Sequence, residues 1–247
     1  MRLTEDVYLV GGGDYGFNLT HRLDCHTYLV DGGDEFALID AGFGPGTEEI
    51  LARMREDGLD PAHVSTIVIT HYHADHAGGS APMKRATGAR LLAGKEAAPT
   101  IRVADADQIG LNWAKTFGFY PADYEWEPAE VDEEFEDGTR IRVGELELEL
   151  VATPGHCTGH YCVRLVGRDR TYLFSSDCVF WGGAIILQNV PDSNVQEYAA
   201  SCNRLAELEF DALLPGHHLI SLRNGRRHAE AAARDFNRIG LPRDLLR

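Results

Sequence analysis

The sequence predicts an α/β fold in which two sheets lie inside a cover of helices. Three observations carry this expectation. Short strand-like runs fall into two groups, one ending near residue 94 and one beginning near residue 139. Stretches with helical spacing interrupt both groups and offer apolar faces to cover them. No fixed short repeat, low-complexity tract or linker divides the 247 residues, so one domain spanning 1–247 is expected.

The first strands are "DVYLV" (6–10), "CHTYLVDG" (25–32) and "EFALIDAG" (35–42), which are short, β-branched or aromatic, and bounded by Gly and Asp. The "DGGD" turn between the last two predicts a hairpin. "GTEEILARMREDG" (46–58) predicts a helix capped by Thr47, with Glu48 and Glu49 in its first turn and Gly58 at its end. "VSTIVIT" (64–70) is continuously apolar, as in a strand buried on both faces. A turn at "HYHADHAGG", a helix at "GSAPMKRAT" and a strand at "ARLLAG" come next. Residues 96–137 are read as a helical insertion over one end of the core, and "ADADQIGLNWAKTFG" has partial helical periodicity. Its aromatic residues, Trp113, Phe117, Phe119, Tyr120, Tyr124 and Trp126, suit an apolar substrate wall and ordinary packing equally. Strands are then predicted at "TRIRVG", "LELELVATP", "HYCVRLVG", "RTYLFSSD" and "FDALLPGHH". "NVQEYAASCNRLAEL" (194–208) is an amphipathic helix carrying Tyr198, Cys202, Leu205 and Leu208 on one face. "RRHAEAAARDFNRIG" (226–240) closes the chain as a helix stopped by Gly240.

Composition narrows the partners. Apolar residues make up 44% and charged residues 25%, an ordinary globular balance. Acidic residues exceed basic ones, 39 to 23, for a net charge of −16. That charge repels phosphate backbones and argues against nucleic acid as a general partner. The N-terminus has a four-residue apolar stretch, too short for a signal-peptide core, and no run reaches the length of a membrane span. Five cysteines, an odd number without C-x-x-C spacing, fit reduced thiols packed as small apolar residues. A cytoplasmic location is therefore expected, with no membrane partner, and a homodimer is compatible with the sequence.

"THYHADHAGG" (70–79) places His71, His73, Asp75 and His76 within six positions, directly after an apolar strand. Packing alone does not explain four such side chains, which must be solvated, hydrogen-bonded or bound. Imidazole and carboxylate are ligands that suit Zn²⁺ and related ions. On an extended segment His71 and His73 share a face, while Asp75 and His76 begin the next turn and can serve a second position. Three further candidates stand at predicted strand ends: His156 in "TPGHCTGH", Asp177 in "LFSSD" and His217 in "LLPGHH". The remaining histidines, His21, His26, His63, His160 and His228, are read as ordinary, although His26 and His160 lie near predicted strand ends and loops. "GGGDYG" (11–16) matches G-x-G-x-x-G after a strand, but "FNLTHRLDCHTYLV" beyond it has the pattern of loop and strand rather than helix, so these glycines are taken as a turn.

These motifs resemble the metallo-β-lactamase superfamily. H-x-H-x-D-H is complete at 71–76, and the "TPGH" histidine, the aspartate after an apolar strand and the "GH" histidine come after it in the family's order. "LIDAG" (38–42), with Asp40, also matches a structural motif of the family. The likeness spans residues 7–220 or so. It implies an αββα sandwich, two mixed sheets packed between outer helices, with two divalent metal ions, zinc foremost and iron or manganese as alternatives. Carried over residue by residue, His71, His73 and His156 would hold one ion. Asp75, His76 and His217 would hold the second, and Asp177 would bridge them. Asp75 would also serve as the catalytic residue that orients the nucleophile or passes a proton. His218, Phe180 and Trp181 are candidates for substrate contact.

The implied chemistry is hydrolysis of an ester, thioester, lactone or related bond of a small-molecule substrate by a metal-bridging hydroxide, since a bound Lewis acid brings water's pKa towards about 7. A bridging Asp177 looks more like glyoxalase II and the lactonases than like class B β-lactamases. The residues after Ile220 are too few for the glutathione-binding domain of glyoxalase II. Phe180 stands where acyl-homoserine lactonases place a tyrosine. The alternative is a mononuclear iron oxidoreductase similar to persulfide dioxygenases, although "CVFWGGAI" replaces their Arg-rich segment. A silent binding protein is disfavoured because every ligand position is filled.

One prediction separates the adjacent histidines of "LLPGHH". Adjacent side chains on a strand or tight turn point in different directions, so only one closes the second metal site. His217→Ala should lose metal and nearly all activity. His218→Ala should keep its metal and lose at most substrate handling, seen as a raised KM. Metal content and steady-state kinetics of the two variants decide this, and the reverse pattern would shift the motif by one residue.

Overall fold

The computed structural model describes residues 1–188 and 190–245 and divides into two compact units. The first comprises residues 1–135 and 143–145, and the second comprises 136–142 and 146–247. Among the described residues no helix is long and apolar enough to cross a membrane.

The first unit is built on a six-stranded mixed sheet. β1 (Val7–Gly11), β2 (Thr27–Asp31) and β3 (Phe36–Ile39) pair antiparallel. The expected hairpin joins the last two, with Asp31 opposite Phe36. After α1 (Thr47–Glu56), β4 (Val64–Ile69) runs parallel to β3 in mid-sheet. Five of its six residues are buried, which explains the apolar run. Next come α2 (Ala74–Ala77), α3 (Ser80–Thr87) and β5 (Arg90–Gly94), which lies parallel to β4. The stretch from 96 onward forms α4 (Ala98–Val103), α5 (Leu111–Thr116) and then β6 (Glu133–Phe135) at the sheet edge. β6 is a strand near the end of the segment read as a helical insertion at about 96–137. Two of its three residues are exposed glutamates, a charged edge without the apolar alternation that marks a strand.

Two helix signals need correction. Gly46, not Thr47, is the N-cap of α1, and Thr47 instead donates its hydroxyl to Gly44 O at 2.8 Å. A Cβ at Gly46 would lie 2.2 Å from Asp24 Oδ2, so the approach of that carboxylate leaves room only for glycine. At the chain's last helix the left-handed residue is Ile239 (φ 60°), one position before the expected Gly240.

The second unit holds a five-stranded mixed sheet. β7 (Arg140–Val143), β8 (Leu146–Ala152), β9 (Tyr161–Val166) and β10 (Thr171–Ser176) are neighbours in that order. α6 (Val195–Glu207) precedes β11 (Ala212–Pro215), which pairs parallel with β10, and α7 (Arg226–Asn237) comes last. Asn194 caps α6 by accepting from the Gln196 and Glu197 backbone N–H groups, relieving two of its orphan donors. Tyr198, Ser201, Cys202 and Leu205 form its buried stripe. Their cluster includes Cys162, Cys178, Leu213 and Ala232, so three of the five cysteines are core filler.

Gly155 shows how closely the loop after β8 meets α6. A Cβ there would lie 2.3 Å from Tyr198 Cα and N, and φ is +132°. Gly58 has φ +78° with nothing within 4 Å of the same added atom. Gly58→Ala should therefore cost about 1 kcal/mol for the left-handed backbone. Gly155→Ala should cost about 2 kcal/mol more, because a helix backbone cannot yield as a side chain can. Urea midpoints at unchanged slope measure both, and equal losses would contradict this packing.

Candidate functional site

In the first unit the strand ends bring the 71–76 cluster together. β4 stops at Ile69, and Thr70 and His71 continue it into α2, which carries Asp75 and His76. His73 is the N-cap of α2, and its carbonyl accepts from the His76 and Ala77 N–H groups. The His71 and His73 rings lie 4.8 Å apart and nearly perpendicular, and the His71 and His76 rings lie 4.1 Å apart. His71, His73 and His76 are buried, whereas the Asp75 side chain is 18% exposed.

Hydrogen bonds decide which ring nitrogens carry lone pairs. His76 Nδ1 lies 2.8 Å from Asp40 Oδ2, and a carboxylate only accepts, so Nδ1 carries a proton and the lone pair of the neutral ring is on Nε2. Asp40 also accepts the Thr70 backbone N–H at 2.8 Å and takes the single Thr70 hydroxyl proton. The Thr70 oxygen, 3.1 Å from His71 Nδ1, therefore accepts from that nitrogen, and His71 likewise presents Nε2. Such outer partners orient metal-binding histidines generally. Asp40 reaches this position with φ +63°.

Cys25, Asp40 and His76 also bring potential ligand atoms within 4.8 Å of one another. Burial pushes the Cys25 thiol up to about 12.

In the second unit three strand ends converge. His156 comes after the Thr153–Pro154–Gly155 turn that ends β8, and its Nδ1 donates to Ile186 O at 2.9 Å, leaving a lone pair on Nε2. That Nε2 lies 3.7 Å from Asp177 Oδ2, and His217 Nε2 lies 3.6 Å from the same oxygen. A lone pair facing a carboxylate oxygen is repulsive unless a positive charge joins them. One carboxylate oxygen with an imidazole nitrogen on either side is a donor set that suits divalent cations.

Asp177 is itself clamped. Its N–H donates to His160 Nε2 at 3.2 Å, which places the His160 proton on Nδ1, donated to Thr153 Oγ1 at 2.9 Å. Its carbonyl accepts the Tyr198 hydroxyl at 2.6 Å. The preceding Ser176 has φ +44°. His160 is thus not the ordinary histidine that the sequence suggests. Its one sequence signal is the "TPGHCTGH" stretch, which returns a second histidine at the start of β9.

His218 has φ +61°, is half-buried, and sets its ring edge-on to Phe180 at 6.2 Å. Burial, then the neighbouring His217, pushes its pKa down. Phe180 is fully buried and packs with Ala184 and Ile186, so its side chain meets protein. Trp181 is 43% exposed, with His228 at 4.6 Å and the Arg227 guanidinium over its ring at 5.1 Å.

The chain is similar to known proteins. Residues 22–217 match the profile of the metallo-β-lactamase superfamily. A hydroxyacylglutathione hydrolase of a Polaromonas species is 34% identical, over 70% of this chain and 54% of its own length. A beta-lactamase-like protein 2 homolog of Caenorhabditis elegans is 28% identical, over 78% of this chain and 55% of its own. The chain thus spans little more than half the length of these two relatives. The acyl-coenzyme A thioesterase MBLAC2 of Gallus gallus is 29% identical, over 78% of this chain and 72% of its own. Among solved structures, a subclass B3 metallo-β-lactamase of Bradyrhizobium japonicum superposes with a TM-score of 0.73. That alignment covers 97% of this chain and 92% of the other at 22% identity, a likeness of fold. With the match running from Arg22 to His217, the chain belongs to the metallo-β-lactamase superfamily and has its fold.

Proposed function

We propose that this chain is a metal-dependent hydrolase of small acyl compounds, with thioesters as the first class of substrate. One observation carries the reading: Asp177 Oδ2 faces two imidazole nitrogens at 3.6 and 3.7 Å, an arrangement suited to a carboxylate shared by cations. The order of the motifs supports one ligand set of His71, His73 and His156 and a second of Asp75, His76 and His217, with Asp177 common to both. Zinc suits these nitrogen and oxygen donors, and iron or manganese would be tolerated by them. The thioester preference is supported by two relatives, one named as a hydroxyacylglutathione hydrolase and one as an acyl-coenzyme A thioesterase.

The bound ions would supply Lewis acidity, bringing water's pKa from about 15.7 towards about 7 and polarising the substrate carbonyl. The protein's own groups do the rest. Asp40, Thr70 and the Ile186 carbonyl hold three imidazoles in the Nε2-donor tautomer, so no reorganisation accompanies the reaction. Asp75 is the most solvent-open of the acidic groups in the cluster, which suits it to take a proton from the attacking water and deliver it to the leaving thiolate. No serine or cysteine nucleophile is needed.

A hydrolysis screen tests this. Zinc-loaded protein should release thiol from acyl-coenzyme A or glutathione thioesters faster than it opens lactones or β-lactams. Chelation should abolish the activity, zinc should restore it, and no oxygen should be consumed. Oxygen uptake with a single bound iron, or turnover of phosphodiesters alone, would refute the reading.

A further inference from the structure

Tyr120, within the segment after α5, sits 45 residues from Asp75 in sequence and donates its hydroxyl to Asp75 Oδ1 at 2.8 Å. The other oxygen, Oδ2, lies 3.7 Å from His76 Nε2. The two oxygens of Asp75 are thus turned to two different neighbours. We propose that Tyr120 is a positioning residue for Asp75: its phenol holds Oδ1 and thereby presents Oδ2 beside His76 Nε2, towards the ion these two side chains would share. The inference rests on the metal-dependent reading above.

The phenol is well placed for this because its ring is fixed independently. It stacks on Phe43 with centroids 5.4 Å apart and planes 9° from parallel. Tyr124 packs on the same Phe43 at 3.9 Å and donates its hydroxyl to the Phe43 carbonyl at 3.0 Å. Phe43 is anchored in turn, its N–H donating to Asp24 Oδ1 at 2.8 Å. Gly78, two residues past His76, makes the approach possible, since a Cβ there would lie 2.4 Å from the Tyr124 hydroxyl. Two tyrosines four residues apart are therefore tied to one phenylalanine, and only Tyr120 also reaches a carboxylate of the cluster. A hydrogen bond to a carboxylate is about twice as strong as a neutral one, so this bond is well able to select one orientation of Asp75. Because the ring is already immobilised by stacking, little side-chain entropy is lost in making it.

The two phenols separate positioning from mere tethering. Metal-free wild type, Tyr120→Phe and Tyr124→Phe should be titrated with Co²⁺ and followed by its visible absorption. Tyr120→Phe keeps the stack on Phe43 and loses only the bond to Asp75. Its second cobalt equivalent should bind roughly 10–100-fold more weakly, the effect typical of losing an outer-shell partner, while the first is unchanged. Its kcat for thioester should fall with little change in KM, because the substrate's own contacts remain. Tyr124→Phe keeps its ring on Phe43 and leaves Asp75 bonded to Tyr120, so it should weaken the second cobalt equivalent and lower kcat far less than Tyr120→Phe does. The proposal is overturned if Tyr120→Phe titrates like wild type. It is equally overturned if both variants weaken cobalt alike, since the segment would then act only as a tether. If wild type itself takes up one cobalt or none, the underlying metal reading fails and the proposal falls with it. That outcome appears in the wild-type arm alone and is thus distinct from the other two.

Discussion

A buried carboxylate, Asp40, accepts from His76 Nδ1, from the Thr70 backbone and from the Thr70 hydroxyl. These bonds determine which face of two imidazoles can bind anything. Without an acceptor at Nδ1, each ring could exchange its proton between nitrogens and rotate about its bond to the main chain. With it, His76 directly and His71 through Thr70 are committed to offering Nε2. The demand reaches back into the fold. β3 must end one residue before Asp40, β4 must end one residue before Thr70, and the two strands must pair parallel in a fixed register, as Ile39 and Val68 do. Since a slip by one residue would turn every side chain to the other face, the burial of β4 also maintains the register of the cluster.

The second unit solves the same problem with a different set of parts. A backbone carbonyl fixes His156, and His160 and Tyr198 hold the main chain of Asp177 from two sides. Both units carry backbone strain at these points. Asp40, Ser176 and His218 are non-glycine residues with φ of +63°, +44° and +61°, and each stands at or just past a strand end. Such conformations cost on the order of 1–3 kcal/mol each and persist where surrounding contacts over-determine them. At Asp40 those contacts are the hydrogen bonds from Thr70 and His76, and at Ser176 the carbonyl accepts the Gly216 N–H at 2.9 Å.

Much of this is legible in the sequence where the signal is local. The hairpin at "DGGD", the doubly buried β4 and the stripe of α6 are dictated by period and turn chemistry, and the elements lie where those patterns put them. The candidate ligands are legible because histidines and aspartates beside Gly, Pro or Ser at strand ends stand out against any packing pattern. Features that are long-range or non-periodic stay hidden. β6 is three residues with two glutamates and pairs only because β5 offers an edge. Gly46 caps α1 because Asp24, 22 residues earlier, crowds it. The bond from His76 to Asp40 spans 36 residues, and neither that span nor the role of His160 leaves a mark in local periodicity.

The central claim is that these buried anchors exist to present imidazole Nε2 atoms to metal, and equilibrium metal titration of wild type beside Asp40→Asn tests it most directly. The amide keeps the shape of the carboxylate and removes half of its accepting capacity. Wild type should bind about two zinc ions per chain, since seven candidate ligands exceed one four-coordinate site. Asp40→Asn should remain folded and bind zinc about 10–100-fold more weakly. A wild type that binds one ion, or an Asp40→Asn variant that titrates as wild type does, would contradict the account.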